Sequence, residues 1–198
     1  MTAQTDSVLN LFRSRGAYLE GHFRLTSGLH SSEYLQSALV LQHPKSAEEL
    51  GRRLAAALRP LTGAAQVTVV VSPALGGLII GHEVARALNV RFLFTEREAT
   101  TRQMVLRRGF QVSAEDTAVV VEDVVTTGGS TREVIDLLRA QGARVFAAGS
   151  LIDRSGGTAD VGAPRVALAT LRASSYDPAE CPLCAQGIPV VKPGSRPV

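Results

Sequence analysis

A chain of 198 residues, 45% hydrophobic and 20% charged, is long enough for one ordinary domain. It is too short for a full substrate domain joined to a full cofactor domain. A formal charge of +3 excludes a dedicated nucleic-acid arm, and the mix of apolar and charged residues excludes a disordered chain.

Of the 21 basic residues only Lys45 and Lys192 are lysine, so arginine supplies the rest, and its planar fork matches phosphate and carboxylate oxygens. Asp6 and Asn10 interrupt the N-terminal apolar run, so no signal peptide is expected. No apolar stretch approaches the roughly 20 residues of a membrane helix. The expectation is a cytoplasmic protein with neither membrane nor nucleic-acid partners.

In chain order, residues 7–19 predict a short helix with Val8, Leu9, Leu11 and Phe12 on its apolar stripe. Gly21 to Gln36 is rich in Gly, Ser, Thr and His, and reads as a loop or small irregular hood. With its flanks the hood spans about 16–40. Ser46 and Glu49 form a capping-box pattern for a helix running to about Leu58, with Pro60 just beyond.

From there buried strands alternate with helices. Val67 to Val71 is continuous and β-branched, as in a strand covered on both faces. It runs into Ser72-Pro73-Ala74-Leu75-Gly76-Gly77 and a helix through Leu88. Further strands are expected at Arg91 to Phe94, Thr117 to Val121, Val145 to Ile152 and Val166 to Leu171, with a helix at Arg132 to Ala140. This order predicts a single α/β domain over 1–198, with a central parallel sheet flanked by helices.

Residues 95–116 break the alternation. Arg97, Arg102, Arg107 and Arg108 alternate with Glu96, Glu98 and Thr100-Thr101, and Met104-Val105-Leu106 suits a short strand. The segment reads either as an exposed hairpin or as a mobile lid, about 96–106, that carries positive charge over an anion.

Val119 to Thr131 is the most informative stretch. A buried strand delivers Glu122 and Asp123 at its C-terminal end, where open α/β sheets bind ligands. Acids there need hydroxyls, a metal or water rather than apolar core. Thr126-Thr127-Gly128-Gly129-Ser130-Thr131 follows, with Ser130 and Glu133 as a second capping box at a helix N-terminus. Such a turn presents backbone N–H groups to an anion, most naturally a phosphate monoester. Acids beside a phosphate cradle describe a sugar phosphate. Cys181 and Cys184, the only cysteines, form a CxxC that is a redox pair, half a zinc site, or incidental.

The acid pair with its phosphate turn resembles the phosphoribosyl-diphosphate signature of the type I phosphoribosyltransferases. Several stretches narrow the resemblance to the orotate phosphoribosyltransferase family. They are Leu25-Thr26-Ser27-Gly28 with Ser31 and Tyr34, the Ser72 to Gly77 turn, Glu96-Arg97-Glu98, Leu106 to Phe110, and Asp153-Arg154. The likeness covers roughly Gly16 to Gly157, and the CxxC tail resembles one bacterial branch.

The resemblance implies that Glu122 and Asp123 hold the ribose hydroxyls and that Thr126, Thr127, Gly128, Gly129, Ser130 and Thr131 bind the 5′-phosphate. It makes Ala74, Leu75, Gly76 and Gly77 a diphosphate loop, often with a cis peptide between Ala74 and Leu75. Orotate is expected against Ser27, Gly28, Tyr34, Thr126 and Arg154, the last taking its carboxylate. Lysines usual in the family are replaced by Thr26, Gly76 and Thr100, so Arg97 and Arg102, with Asp123, become the loop and catalytic candidates. The implied reaction joins orotate to phosphoribosyl diphosphate with Mg²⁺, in a homodimer whose basic loop is shared between subunits. No protein-bound metal cluster is expected for it. A phosphoribosyltransferase for another base, and a non-catalytic binding protein that keeps the pocket, are the alternatives.

Overall fold

The computed structural model describes residues 3–25, 28–63, 66–172 and 174–193. In chain order the elements are α1 (Ala3–Ser14), β1 (Tyr18–Arg24), β2 (His30–Leu35), α2 (Ser37–Leu41), α3 (Pro44–Thr62), β3 (Val69–Pro73) and α4 (Gly77–Leu88). They continue with β4 (Arg91–Arg97), β5 (Met104–Leu106), β6 (Thr117–Val125), α5 (Gly129–Ala140), β7 (Arg144–Asp153), β8 (Arg165–Thr170), β9 (Ser175–Tyr176) and α6 (Pro182–Ala185).

The main sheet has six strands in the order β5-β4-β3-β6-β7-β8, parallel except for the antiparallel β4–β5 pair. The run of valines explains its place. Successive side chains of a strand point to opposite faces. Val70, Val119 and Val121 pack with Phe12, Leu50, Leu54 and Ile80 of α1, α3 and α4 on one face. Val69, Val71 and Val120 pack with Val134, Ile135 and Leu138 of α5 on the other. A strand apolar at every position is stable only when both faces are covered, and these are.

The topology also places the site. Chain leaving β3 passes through α4 to β4 on one side, while chain leaving β6 passes through α5 to β7 on the other. The adjacent C-terminal ends of β3 and β6 therefore diverge, opening a crevice at the point where strand order reverses.

Four expectations are corrected. The hood is a second, three-stranded antiparallel sheet, β1-β2-β9, rather than an irregular loop. A register shift between Glu20 and Phe23 leaves His22 and Phe23 both buried, which erases the period-two signal. The first helix ends at Ser14, because β1 claims the chain from Tyr18. Helix α3 begins at Pro44, the favoured first helical position, so Ser46 lies inside it and makes no cap. Pro60 sits within its last turn, closed by Gly63 N–H and the Thr62 hydroxyl donating to the Arg59 carbonyl.

Candidate active site

Strand β6 carries Glu122-Asp123 near its C-terminal end, runs on to Val125 and turns at 126–128 into α5. The expected Ser130–Glu133 capping box is not formed: the N-cap is Gly128, and no side chain caps the helix. Gly128 has φ +84°, and a Cβ there would lie 2.8 Å from Val161 Cγ1, so backbone and space both demand glycine. With no side chain on the cap, the first-turn N–H groups of α5 remain donors for an anion. Glu133 instead pairs with Arg97, at 2.8 Å from Nη1, and the other Arg97 Nη lies 3.4 Å from Ser130 Oγ. A guanidinium is thereby held at the lip of the turn.

The two acids differ in surroundings. Thr131 donates its hydroxyl to Glu122. Close packing raises the Glu122 carboxyl to about 7, against the lowering effect of Thr131. Asp123 is also raised by its surroundings, against hydrogen bonds from the Val124 and Asp123 backbone. Both side chains still reach the surface, although protein atoms wall them closely. Asp123 faces a cleft of about 700 Å³, shared with Tyr34, Thr126, Thr127, Ser130 and Arg154.

The β3–α4 turn approaches from the neighbouring strand. The Ala74–Leu75 peptide is cis. A Cβ on Gly76 would meet Asp123 Oδ1 at 2.5 Å, so the bare backbone of this turn lies directly against the acid. Gly77 is similarly pressed between Ser72 and the Val121 carbonyl.

At the far side of the cleft, β7 delivers Asp153-Arg154. These two do not form a surface pair. Asp153 is 1% exposed and accepts from Ser155 N and Oγ, Gly157 N and Arg165 Nη1, all within 3.0 Å. Burial alone would raise its pKa, but the Ser155 hydroxyl and the Arg165 guanidinium together hold it low. Asp153 thus folds the turn that aims Arg154.

Arg154, 9% exposed, donates from Nη2 to Ser31 Oγ (3.1 Å) and to the Glu33 carbonyl (3.3 Å). Its Nε–H is buried without a hydrogen-bond partner among the described residues. Burial lowers its pKa, with Glu33 and Tyr34 opposing that shift. A desolvated guanidinium with one unused donor is built to receive an anion. Tyr34 stands beside it, its phenol pushed up by burial and by Asp123, with Arg154 opposing.

Arg102 and Thr100 lie on the exposed turn of the β4–β5 hairpin; the Arg102 carbonyl accepts from Arg97 Nη1 at 2.7 Å. Arg107 is exposed as well. Arg108 places its fork on Glu96 (2.9 and 3.0 Å) and lies over the Phe94 ring. Gly28 adopts φ +88° near the cleft residues Leu25 and Leu29, whereas Ser27 and Thr26 lie outside the described residues. Gln36, Ser155 and Arg172 also line the cleft and were missed. Ser155 follows the Asp153-Arg154 stretch, whereas Gln36 and Arg172 have no such motif beside them, and only the fold brings the three together.

Residues 38–176 match the family model described as the phosphoribosyl transferase domain. The orotate phosphoribosyltransferase of Heliobacterium modesticaldum is 54% identical over 191 residues, covering 96% of this chain and 98% of that one. The Pelotomaculum thermopropionicum enzyme of the same name is 52% identical, covering 98% of each chain.

The chain belongs to the orotate phosphoribosyltransferase family.

Among solved structures, the family member from Aeropyrum pernix superposes with a TM-score of 0.67 at 29% identity, covering 83% of this chain and 94% of that one. An adenine phosphoribosyltransferase from Thermoanaerobacter pseudethanolicus shares the fold at a TM-score of 0.59 and 17% identity, covering 70% of this chain and 88% of that one. The fold is therefore common to enzymes named for different bases.

Proposed function

We propose that this cleft transfers the 5-phosphoribosyl group from phosphoribosyl diphosphate to orotate, giving orotidine 5′-monophosphate and diphosphate, a step of pyrimidine synthesis. The observation that carries the choice of orotate is Arg154: a buried guanidinium with an unpartnered Nε–H, beside Tyr34 and across the cleft from Asp123. A neutral purine or uracil offers no carboxylate to satisfy it.

The parts are assigned from the family resemblance, and the geometry is compatible with each of them. The N-terminal turn of α5, with Thr126 to Thr131, takes the 5′-phosphate on backbone N–H groups and hydroxyls. Asp123 and Glu122 accept from the ribose hydroxyls. Ala74 to Gly77 presents backbone to the diphosphate next to Asp123, where a side chain at residue 76 has no room. Tyr34 and the Gly28 segment hold the pyrimidine while Arg154 takes its carboxylate. Orotate N1 then bonds to the anomeric carbon as that carbon's bond to diphosphate breaks, and the N1 proton passes to the departing diphosphate or to solvent. The sugar passes through an oxocarbenium-like state that needs no protein nucleophile. Catalysis rests on alignment, charge neutralisation of the leaving group and exclusion of water.

The acceptors at the cleft include the Asp123 carboxylate and the Thr126, Thr127 and Ser130 hydroxyls, which fits Mg²⁺ held largely by substrate and water with Asp123 nearby. When bound, the ion would neutralise diphosphate charge. Arg97 and Arg102 serve in place of a loop lysine, on a hairpin at about 96–106 that moves over the cleft. We place the protein in the cytoplasm as a homodimer, with this hairpin reaching the neighbouring subunit. Leu75 and Ile79, both exposed on the diphosphate turn and the start of α4, offer an apolar contact surface for it. Among the described residues no helix is long and apolar enough to cross a membrane.

The test is Mg²⁺-dependent turnover with orotate, uracil, adenine, guanine and hypoxanthine. Orotate is expected to be preferred. Preference for any of the other four would sink the assignment, and tight phosphoribosyl-diphosphate binding with no product from any base would leave a binding protein.

A further inference from the structure

The CxxC motif plays no part in the chemistry above, yet the fold supplies it with partners. Cys181 and Cys184 meet His22 of β1 and His30 of β2, and the four ligand atoms all lie within 4.8 Å of one another. His22 Nε2 is 3.5 Å from Cys181 Sγ and 3.7 Å from Cys184 Sγ, while Cys184 Sγ is 3.3 Å from His30 Nδ1. Zinc bonds of about 2.3 Å to sulfur and about 2.0–2.1 Å to nitrogen give tetrahedral N–S edges of roughly 3.6 Å. The three measured N–S separations fall around that value. The two histidine nitrogens stand 2.8 Å apart, shorter than the roughly 3.3 Å of a zinc-bound pair, so the rings would spread slightly to admit an ion.

The hydrogen bonding also fixes which nitrogen is available. His22 Nδ1 lies 2.7 Å from the Ile188 carbonyl, which can only accept, so Nδ1 carries the proton. In the neutral ring Nε2 then presents a lone pair toward His30 and both thiols. A ligating histidine that donates its other N–H to a backbone carbonyl is the usual outer support of a metal site. Three of the four residues are buried, with Cys184 at the surface. Two thiols and two imidazoles are a closed, soft donor set suited to Zn²⁺ and unsuited to Mg²⁺.

We propose that His22, His30, Cys181 and Cys184 form a structural zinc site that clamps the C-terminal segment onto the hood. Binding replaces the two thiol protons, which pass to solvent. Its position explains a use. Residue Val191 pairs with the hood through Arg24 N–H to its carbonyl (2.9 Å) and its own N–H to the His22 carbonyl (2.8 Å). His30 pairs with Tyr176 across β2–β9, and the adjacent Ser31 receives Arg154. The clamp therefore secures the strand that positions the orotate-binding arginine, without contributing a group to the reaction.

The test is metal analysis of the full chain purified without chelator, followed by Co²⁺ replacement. The expected results are one zinc per chain, and a cobalt spectrum with thiolate charge-transfer bands and the intense visible bands of tetrahedral coordination. Cys181→Ser/Cys184→Ser should lose the metal. Chelation of the parent protein should lower its thermal midpoint and raise the orotate KM more than the phosphoribosyl-diphosphate KM. Measurements on the parent protein decide the question even if the variant fails to fold. Failure to take up stoichiometric Zn²⁺ or Co²⁺ with both thiols free would overturn the proposal. Isolation of a Cys181–Cys184 disulfide that binds no metal after reduction would also overturn it, and would make the motif a redox pair.

Discussion

Arg154 and Glu122 show how the same cost, burial of a charge, serves two ends. Burial lowers the Arg154 pKa, with Glu33 and Tyr34 opposing; if the guanidinium takes the orotate carboxylate as proposed, its removal should be felt mainly by orotate. Charge-assisted hydrogen bonds contribute about 1.5–3 kcal/mol each, so Arg154→Ala is expected to raise the orotate KM by about 10- to 100-fold. Steady-state kinetics checks this, and equal effects on both substrates would argue against a carboxylate contact.

Glu122 behaves oppositely, since its folded pKa of about 7 exceeds the 4.5 of a free glutamate. Between those values the folded chain holds a proton that the unfolded chain has released. The stability this contributes is full below about 4.5 and is lost as pH rises through about 7. Glu122→Gln should flatten that decline, leaving the ligand-free variant roughly 1–3 kcal/mol more stable than its parent at pH 8. Denaturant unfolding at pH 5 and pH 8 measures it. The same variant should bind phosphoribosyl diphosphate more weakly, because a carboxamide accepts poorly from ribose hydroxyls.

At the scale of elements, the β4–β5 hairpin carries Arg97 and Arg102 but no lysine. Arg97 sits between Glu133 and Ser130 and is already oriented at the phosphate turn, whereas Arg102 is exposed at the tip. Arg97→Ala and Arg102→Ala are each expected to cut kcat by at least about tenfold, the range for losing one positioned charge. Glu133→Gln should leave kcat near that of the parent if Arg97 acts on the substrate. A loss equal to that of Arg97→Ala would make the pair a tie that only shapes the hairpin. The hairpin strands were partly legible, since Met104-Val105-Leu106 stands out as apolar among charges. The hairpin itself was one of the two readings of this segment; its register, Thr95↔Leu106, was not legible because the charged residues disguise the turn.

At the scale of the whole molecule, the proposed homodimer with shared hairpins is tested by subunit mixing. Mixing Arg102→Ala with Arg154→Ala subunits under exchange conditions should restore activity above either variant alone. A mixed dimer then holds one cleft with an intact Arg154 and an intact partner hairpin. No recovery, with exchange verified by sedimentation or mass labelling, would place each hairpin over its own cleft.

Much of the fold and half of the cleft were readable from residue order. The valine runs at 69–71 and 119–121 require cover on both faces, and Glu122 to Thr131 is local chemistry on one strand and one turn. These features depend on neighbours in sequence, where periodicity and turn propensity act. What only tertiary structure decided lies between elements distant in the chain. It set the collapse of space at Gly76 against Asp123, the Ser31 contact that holds Arg154, and the meeting of Cys181 and Cys184 with His22 and His30. Composition alone gave a mild excess of positive charge without location. Folding commits Arg108, Arg132 and Arg165 to local acids and leaves Arg154 buried at the cleft. Charge at a site is a sum over distances in space, and those distances are set by packing rather than by composition.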